Sequence, residues 1–405
     1  MEGQSGTWQR VRFPVVAFLA VACWLALVVW VSDHWLERHP GYPVAPVPFR
    51  GSWLLGGWFR FDGGWYDLIA RSGYYSLGPD QQSPVAFFPA YPLSMRAVGR
   101  VLGDEILAGI VITFVCGLVA TVLVYRWTLD RLGPSAARTT VLLLVLFPYG
   151  WYLFGAVYAD ALFLVAVLAA FVLLERGHPV LAGIAGAVAT AARPVALAVM
   201  VGLVAVLVER RGALRNPRAL KPADAGVLLS VTGLVAWSGY LWSRFGDPLL
   251  WVKIQRAAGW DQGSGPHTWF KVTFLQRLKH LPFWLSDSLT GSTTHHPAPW
   301  TESAYTLGLI LQATLLLGFL ALTVVVWKRL GWGYAAYAIT LLVVPLLGTK
   351  DFQGVGRYLL AAFPCFAVLA ILLEPRPRLR LATFIVSGML LTLLASAYAR
   401  GYYVA

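Results

Sequence analysis

Long apolar runs separated by short, arginine-rich connections dominate this chain. A run of about 20 apolar residues is what an α-helix needs to cross the hydrocarbon core of a bilayer. Runs of that length predict spanning helices rather than strands. Read this way, the sequence predicts about eleven spans. The first runs from Phe13 to Val31 and the second from Ile106 to Arg126. Thr139–Phe154 and Tyr158–Leu174 form a close pair around Pro148 and Gly155. Val180–Ala192 and Pro194–Val208 read as one apolar block broken at Arg193-Pro194, because proline breaks or kinks a helix. Ala225–Ser243, Tyr305–Trp327, Gly333–Gly348, Arg357–Leu373 and Leu381–Ala399 complete the set. The predicted fold class is an all-α polytopic membrane protein, one integral membrane domain over residues 1–405 with large loops at 32–105 and 244–304.

Composition agrees with that pattern. Of the 405 residues, 58% are hydrophobic and only 13% charged, whereas about a quarter of a soluble domain is charged. The formal net charge of +13 invites a nucleic-acid reading, but much of the excess lies in short loops between spans. There it reads as topology and as attraction to anionic headgroups, so membrane lipids rather than nucleic acid are the expected partners. One set of loops holds Arg10, Arg12, Arg126, Arg131, Arg138, Arg176, the 210–221 cluster, Lys328, Arg329, Arg376, Arg378 and Arg380. The alternate short loops hold mainly Arg193, Lys350 and Arg357. The positive-inside rule places the first set in the cytoplasm. Both large loops then face outward, giving a multi-pass protein of the cell membrane with its chemistry on the extracytoplasmic side.

Cys23, Cys116 and Cys365 lie far apart in apolar runs, with no metal or redox spacing. Val21-Ala22-Cys23 resembles a lipoprotein cleavage site, but the apolar run continues to Val31, which favours an uncleaved first span. There is no Walker loop, GxGxxG or HExxH, and His295-His296 lack a third ligand nearby. No metal or cofactor is implied. The outer loops carry tryptophans, among them Trp53, Trp58, Trp65, Trp251, Trp260 and Trp269. They are expected to form short helices packed into a platform, or an aromatic belt at the headgroup level.

Candidate chemistry centres on Phe61-Asp62-Gly63-Gly64-Trp65-Tyr66-Asp67. Gly63 and Gly64 permit a tight turn and close approach by a ligand, and a helix is expected to follow. Asp62 is then either an N-cap or a general base within reach of an incoming hydroxyl. Asp67, five positions on, falls off the same helix face and is at most supporting. Ser83 to Pro92, with three prolines and three aromatics, predicts a rigid non-helical run that lines a groove or buttresses the loop. Asp160, a carboxylate at the outer end of a span directly before an apolar helix, is the other candidate supporting residue. Arg193 sits in a break between two apolar halves, where a charge is costly and has a partner or a role. Arg193, Arg357, Arg256 and Lys350 are candidate phosphate ligands; guanidinium suits that task because its fork meets two phosphate oxygens.

These segments in order resemble the PIG-V-type mannosyltransferases in their shorter bacterial form. Phe61 to Tyr74 is similar to the family's first-loop motif, and Ala86-Phe87-Phe88-Pro89-Ala90-Tyr91-Pro92 to its Ala-Phe-Phe-Pro-x-Tyr-Pro element. Tyr158 to Phe163 resembles its Tyr-Ser-Glu-Ser-Leu-Phe segment, with Asp160 in place of Glu. Ala189 to Pro194 resembles its Ala-x-x-Thr-Arg-Pro segment, with Ala192 in place of Thr. Phe245-Gly246-Asp247-Pro248 with Gln255 and Trp260, and Gly356-Arg357-Tyr358-Leu359 with Phe363-Pro364, resemble its later runs. The resemblance implies a GT-C glycosyltransferase bundle and a polyprenyl-phosphate sugar donor, most simply mannose. It also implies a glycolipid or envelope-glycan acceptor, with Asp62 as base. It draws Trp65, Tyr66, Phe88, Tyr91, Gln255 and Trp260 into a substrate groove. An arabinosyl- or glucosyltransferase with a similar donor, or a lipid-sugar flippase, shares much of this pattern.

Overall fold

In a computed structural model of the protein, most of the predicted apolar runs fall on helix, while Thr139–Phe154 leaves it after Val145. The structure describes all residues except 1, 41, 43–47, 263–264, 291–298 and 405. The described residues form helices and turns, with no strand among them. The adjacent histidines His295 and His296 lie outside the described residues.

The main helices are α1 (Glu2–Trp35), α2 (Gly63–Ser72), α3 (Ala90–Leu102), α4 (Glu105–Val145), α5 (Asp160–Glu175), α6 (Pro179–Ala192) and α7 (Leu197–Arg211). They continue with α8 (Thr232–Phe245), α9 (Val272–Thr290), α10 (Pro299–Leu330), α11 (Trp332–Gly348), α12 (Phe363–Leu373) and α13 (Pro377–Ala399). Among the described residues, five segments are long and apolar enough to cross a bilayer: Val11–Trp35, Glu105–Val145, Pro222–Phe245, Trp300–Leu330 and Pro377–Ala399. Val355–Ala361 and Phe363–Leu373, bent by 79°, make a sixth if they count as one. Length alone therefore does not give eleven spans. Ile106–Arg126 and the first part of the expected span Thr139–Phe154 share α4, which is interrupted where Gly133 takes φ 82° before Pro134; past Val145 the second run continues as turns and a short 3-10 helix, Gly150–Leu153. Others fall on shorter helices; the 14 residues of α6 rise only about 21 Å.

These shorter helices are interior elements. On α5, Phe163, Leu164, Val167, Leu168 and Phe171 are all buried, because neighbouring helices surround it. Glycines set the closest approaches: a Cβ on Gly117 of α4 would come 1.9 Å from the Leu153 carbonyl oxygen. By contrast, α1 and α13 expose Trp24, Leu27, Ile385 and Met389 along their outer faces, as lipid-facing helices do. They are tied together by Trp24 Nε1 to Thr392 Oγ1 at 2.9 Å and Ser32 Oγ to Ser396 Oγ at 2.8 Å.

At one end of the bundle, part of the arginine excess is already paired. Arg131 meets Glu175, which also accepts from the Tyr334 hydroxyl, and Arg211 meets Asp224 at 2.8 Å. At the other end the two large loops pack on each other; they form several short helices together with the longer α3 and the 19-residue α9. Gln82 Nε2 donates to the Ala258 carbonyl at 3.1 Å, and the Trp65 and Trp260 rings meet edge to face at 6.0 Å.

Candidate active site

The first loop is fixed from below by Arg60. Its guanidinium donates to the carbonyls of Ala399 (2.8 Å), Gly56 (2.7 Å) and Phe59 (2.8 Å), and to Asp33 Oδ1 at 2.5 Å. Arg60 and Asp33 are both buried. Phe61 then takes a left-handed φ of 50°, and the chain turns into α2. A Cβ on Gly63 would lie 3.1 Å from the Phe59 ring, so a side chain there would push the turn outward.

Asp62 occupies the N-cap position of α2, but its side chain caps nothing. Its backbone carbonyl accepts from the N–H groups of Trp65 (3.0 Å) and Tyr66 (3.2 Å). That leaves the carboxylate free, and its Oδ2 accepts from Arg357 Nη1 at 2.8 Å. The simple capping alternative is thereby corrected: the backbone turn serves the helix start, and the charge goes to an arginine 295 positions away.

Arg357 reaches this point because Gly356 has no side chain; a Cβ there would come 2.5 Å from the Tyr149 ring. The Arg357 guanidinium lies over the rings of Tyr158 (5.2 Å) and Tyr358 (5.8 Å). Its Nε is buried without a hydrogen-bond partner among the described residues, which leaves one donor unspent. Arg193 is the extended residue ending α6 (φ −155°, ψ 144°). The proline after it disfavours αR at that position. Its guanidinium pairs with Asp160 and lies 4.3 Å from the centre of the Tyr358 ring. Asp160, buried in the first turn of α5, gains from the helix N-terminus as well as from that arginine.

Asp62, Arg193 and Arg357 line one cavity of about 410 Å³. Phe87, Phe88, Trp251 and Trp260 give it aromatic faces, and Gln255, Gln262 and Gln353 supply amides. Val195, Val344 and Pro345 give it an apolar border. Tyr66 also lines it, with a hydroxyl that burial pushes up to about 12 against the pull of Arg193 and Arg357. Tyr403, from the segment after α13, is pushed up to about 12 by burial and then by Asp62.

The remaining predicted residues sit elsewhere. Asp67 pairs with Arg71 at 2.7 Å outside the cavity; burial raises its carboxyl despite that arginine. Trp65 stacks on Phe87 at 5.8 Å and backs the wall instead of lining it. Tyr91 is buried, with its hydroxyl on the Gly109 carbonyl and Thr113, both at 2.9 Å. The expected non-helical run therefore ends earlier: Ala90, Tyr91 and Pro92 form the first turn of α3, where a missing proline N–H costs nothing. Arg256 is exposed and does not line the cavity, and Lys350 reaches Asp261 at 3.2 Å.

Several contributors were not singled out by the sequence. Tyr158 and Tyr358 fall within the Tyr158–Phe163 and Gly356–Leu359 segments but carry no role of their own there, and Tyr403 follows Tyr402 just past an apolar run, where a headgroup-level belt accounts for it equally well. Lys271 supports the wall from behind. Its Nζ donates to the Thr349 carbonyl and lies 4.9 Å from the Phe352 ring centre. Burial lowers its amine to about 8. Next to it, buried Asp351, its carboxyl raised by burial, accepts from the Gln353 N–H at 3.2 Å. Phe352 between them takes φ 70°, a strained value for a bulky residue. Among the described residues no group of three or more His, Cys, Asp or Glu is placed to hold a metal ion.

No protein family matches the chain, and no curated protein does. Among solved structures it is similar to the apo oligosaccharyltransferase of Archaeoglobus fulgidus, at 15% identity and a TM-score of 0.46, covering 95% of this chain and 56% of that one. It is similar to AglB from the same organism in complex with an inhibitory peptide and a dolichol-phosphate, at 14% identity and a TM-score of 0.45, covering 95% and 56%. It is also similar to ArnT from Cupriavidus metallidurans bound to undecaprenyl phosphate, at 16% identity and a TM-score of 0.42, covering 96% and 77%. The chain spans about half the length of the oligosaccharyltransferase chains.

Proposed function

We propose that the protein is a membrane glycosyltransferase that moves a mannosyl residue from a polyprenyl-phosphate donor to a glycolipid or envelope-glycan acceptor on the extracytoplasmic face. The observation that carries this reading is one cavity in which a carboxylate and two guanidinium groups face amides and aromatic rings next to an apolar border. Each part has a task in such a transfer. Arg357 and Arg193 suit the phosphate, because charge-assisted guanidinium bonds to phosphate oxygens are strong and directional. The aromatic and amide walls suit a sugar's apolar face and hydroxyls. The border of Val195, Val344 and Pro345 suits the first isoprene units.

In the proposed step the acceptor oxygen attacks the anomeric carbon from the face opposite the phosphate. The bond from that carbon to the phosphate oxygen breaks, and polyprenyl phosphate leaves with the bonding pair. The acceptor proton passes to Asp62, acting as general base. The anomeric configuration inverts once. Arg357, with Arg193 behind it, offsets the charge that grows on the leaving phosphate, in a site where fixed cations need no reorganisation. A phosphate leaves without a proton, so no second carboxylate is required; this agrees with Asp67 pointing elsewhere.

The test is transfer by purified protein in detergent or nanodiscs, given polyprenyl-phosphate mannose labelled in the sugar and a membrane lipid extract. Labelled product with release of polyprenyl phosphate is the expected result. Transfer from an arabinosyl or glucosyl donor in preference to mannose would replace the sugar and keep the mechanism. Movement of labelled donor across a vesicle membrane without bond cleavage would favour a flippase and sink the reading.

A further inference from the structure

We propose that Tyr158 is a positioning residue that holds Asp62 and Arg357 together as one unit; this rests on the glycosyl-transfer reading above. Tyr158 is buried, 1% exposed, and does not line the cavity, so it acts on substrate only through its neighbours. It touches both partners of the central ion pair by different means. Its hydroxyl oxygen accepts the backbone N–H of Asp62 at 3.2 Å, and the Arg357 guanidinium lies over its ring at 5.2 Å.

The geometry around it is that of a joint. Immediately before it, the Val157 N–H donates to the Trp58 carbonyl at 3.3 Å. The stretch entering α5 is therefore fastened to the first loop at two points, on either side of the Phe59–Phe61 turn. Two residues after it, Asp160 pairs with Arg193. One short stretch, Val157 to Asp160, thus sets the base and both cations. Nearby tyrosines hold other points: the Tyr42 hydroxyl accepts the neighbouring Phe61 N–H at 3.3 Å and not that of Asp62, the Tyr398 hydroxyl goes to the Trp58 carbonyl at 3.2 Å, and the Tyr152 hydroxyl is buried without a hydrogen-bond partner among the described residues.

If Tyr158 merely filled space, phenylalanine would replace it without consequence, since the ring and its contact with Arg357 remain. A positioning role requires the hydroxyl. Tyr158→Phe is therefore expected to lower kcat about tenfold, the scale of one lost buried hydrogen bond acting on alignment. The donor KM should stay at the wild-type value, and the thermal midpoint should fall by no more than the roughly 2–4 °C that one lost hydrogen bond accounts for. Hydrogen exchange read by mass spectrometry supplies a measure independent of turnover: amide exchange in the peptide carrying Asp62 should be faster in the variant. Unchanged exchange with unchanged kcat overturns the proposal. So does a loss of stability that lowers kcat and raises KM together, which marks a plain core residue. If wild-type protein transfers no sugar, the glycosyl-transfer reading fails, and the exchange measurement still decides whether Tyr158 holds the Asp62 loop.

Discussion

Replacing Asp62 by asparagine separates the two tasks that its surroundings suggest. The side chains of Asp62 and Arg357 are 20% and 13% exposed, and their atoms lie 2.8 Å apart. Asparagine is nearly isosteric and keeps an oxygen for the Arg357 Nη1 donor, so the loop stays anchored by Arg60 and by the Asp62 N–H on Tyr158. Loss of fold stability is therefore expected to be small. The chemical loss is not. A positioned general base contributes about 10²- to 10⁴-fold, equivalent to roughly 3–5 kcal/mol of activation free energy. Donor binding should move the other way. With the carboxylate gone, Arg357 has no anionic partner of its own, and the donor phosphate becomes that partner. The expected signature is kcat reduced by at least about 100-fold with donor KM unchanged or lowered, the pattern of a group needed in the transition state and not for binding. Initial rates with radiolabelled polyprenyl-phosphate sugar, measured against donor concentration, give both constants. Transfer within about tenfold of wild type would refute the base assignment. A donor KM raised in step with the fall in kcat would show that Asp62 works only by holding Arg357.

Other outcomes follow from neighbouring contacts. Arg357→Gln should weaken donor binding by about 10- to 100-fold, the scale of a lost charge-assisted hydrogen bond, in a titration with polyprenyl phosphate alone; unchanged affinity would place the phosphate elsewhere. Asp160→Asn strands buried Arg193 without its counter-ion, and removing one partner of a buried pair costs about 3–5 kcal/mol; a thermal midpoint equal to wild type would contradict the pairing. Lys271 gives a pH signature. Its folded amine titrates near 8 against an ordinary 10.5, so between those values the unfolded chain binds the extra proton and stability rises with pH. Buried tyrosines such as Tyr66 and Tyr403, pushed up to about 12, act in the opposite sense as pH nears 10, so the readout is the difference in denaturation midpoint between wild type and Lys271→Met, which should grow in favour of the wild type from pH 8 to 10.5. A slope unaltered by the substitution would rule out Lys271 as its source.

The helices were largely legible because apolar run length is a strong local signal. What length did not decide was how runs combine. Gly133-Pro134 reads as a connection between spans, yet it lies within α4 as a break in one element. For the site, the carboxylate and the two arginines stood out because charges are rare near apolar runs, and the structure gathers Asp62, Arg193 and Arg357 around one cavity. Their pairings were not legible. Asp62 with Arg357 and Asp160 with Arg193 join residues 295 and 33 positions apart, and nothing local fixes such partners. The aromatic residues divided for a similar reason. Phe88 and Trp260 reach the cavity while Tyr91, in the same motif as Phe88, turns into the core, since the helix that begins at Ala90 rotates its side chain away.

The shared arginine has a kinetic consequence. Asp62 Oδ2 already accepts from Arg357, so an acceptor hydroxyl arriving first would have to compete with a guanidinium for that oxygen. A phosphate arriving first would draw Arg357 toward itself and clear the oxygen. The two substrates would then load in a compulsory sequence, lipid-linked sugar ahead of acceptor, and polyprenyl phosphate would depart last. Product-inhibition patterns can establish this: polyprenyl phosphate should compete with the donor and not with the acceptor, and the reverse pattern would exclude the sequence. In such an arrangement the base becomes available only when there is a sugar to transfer.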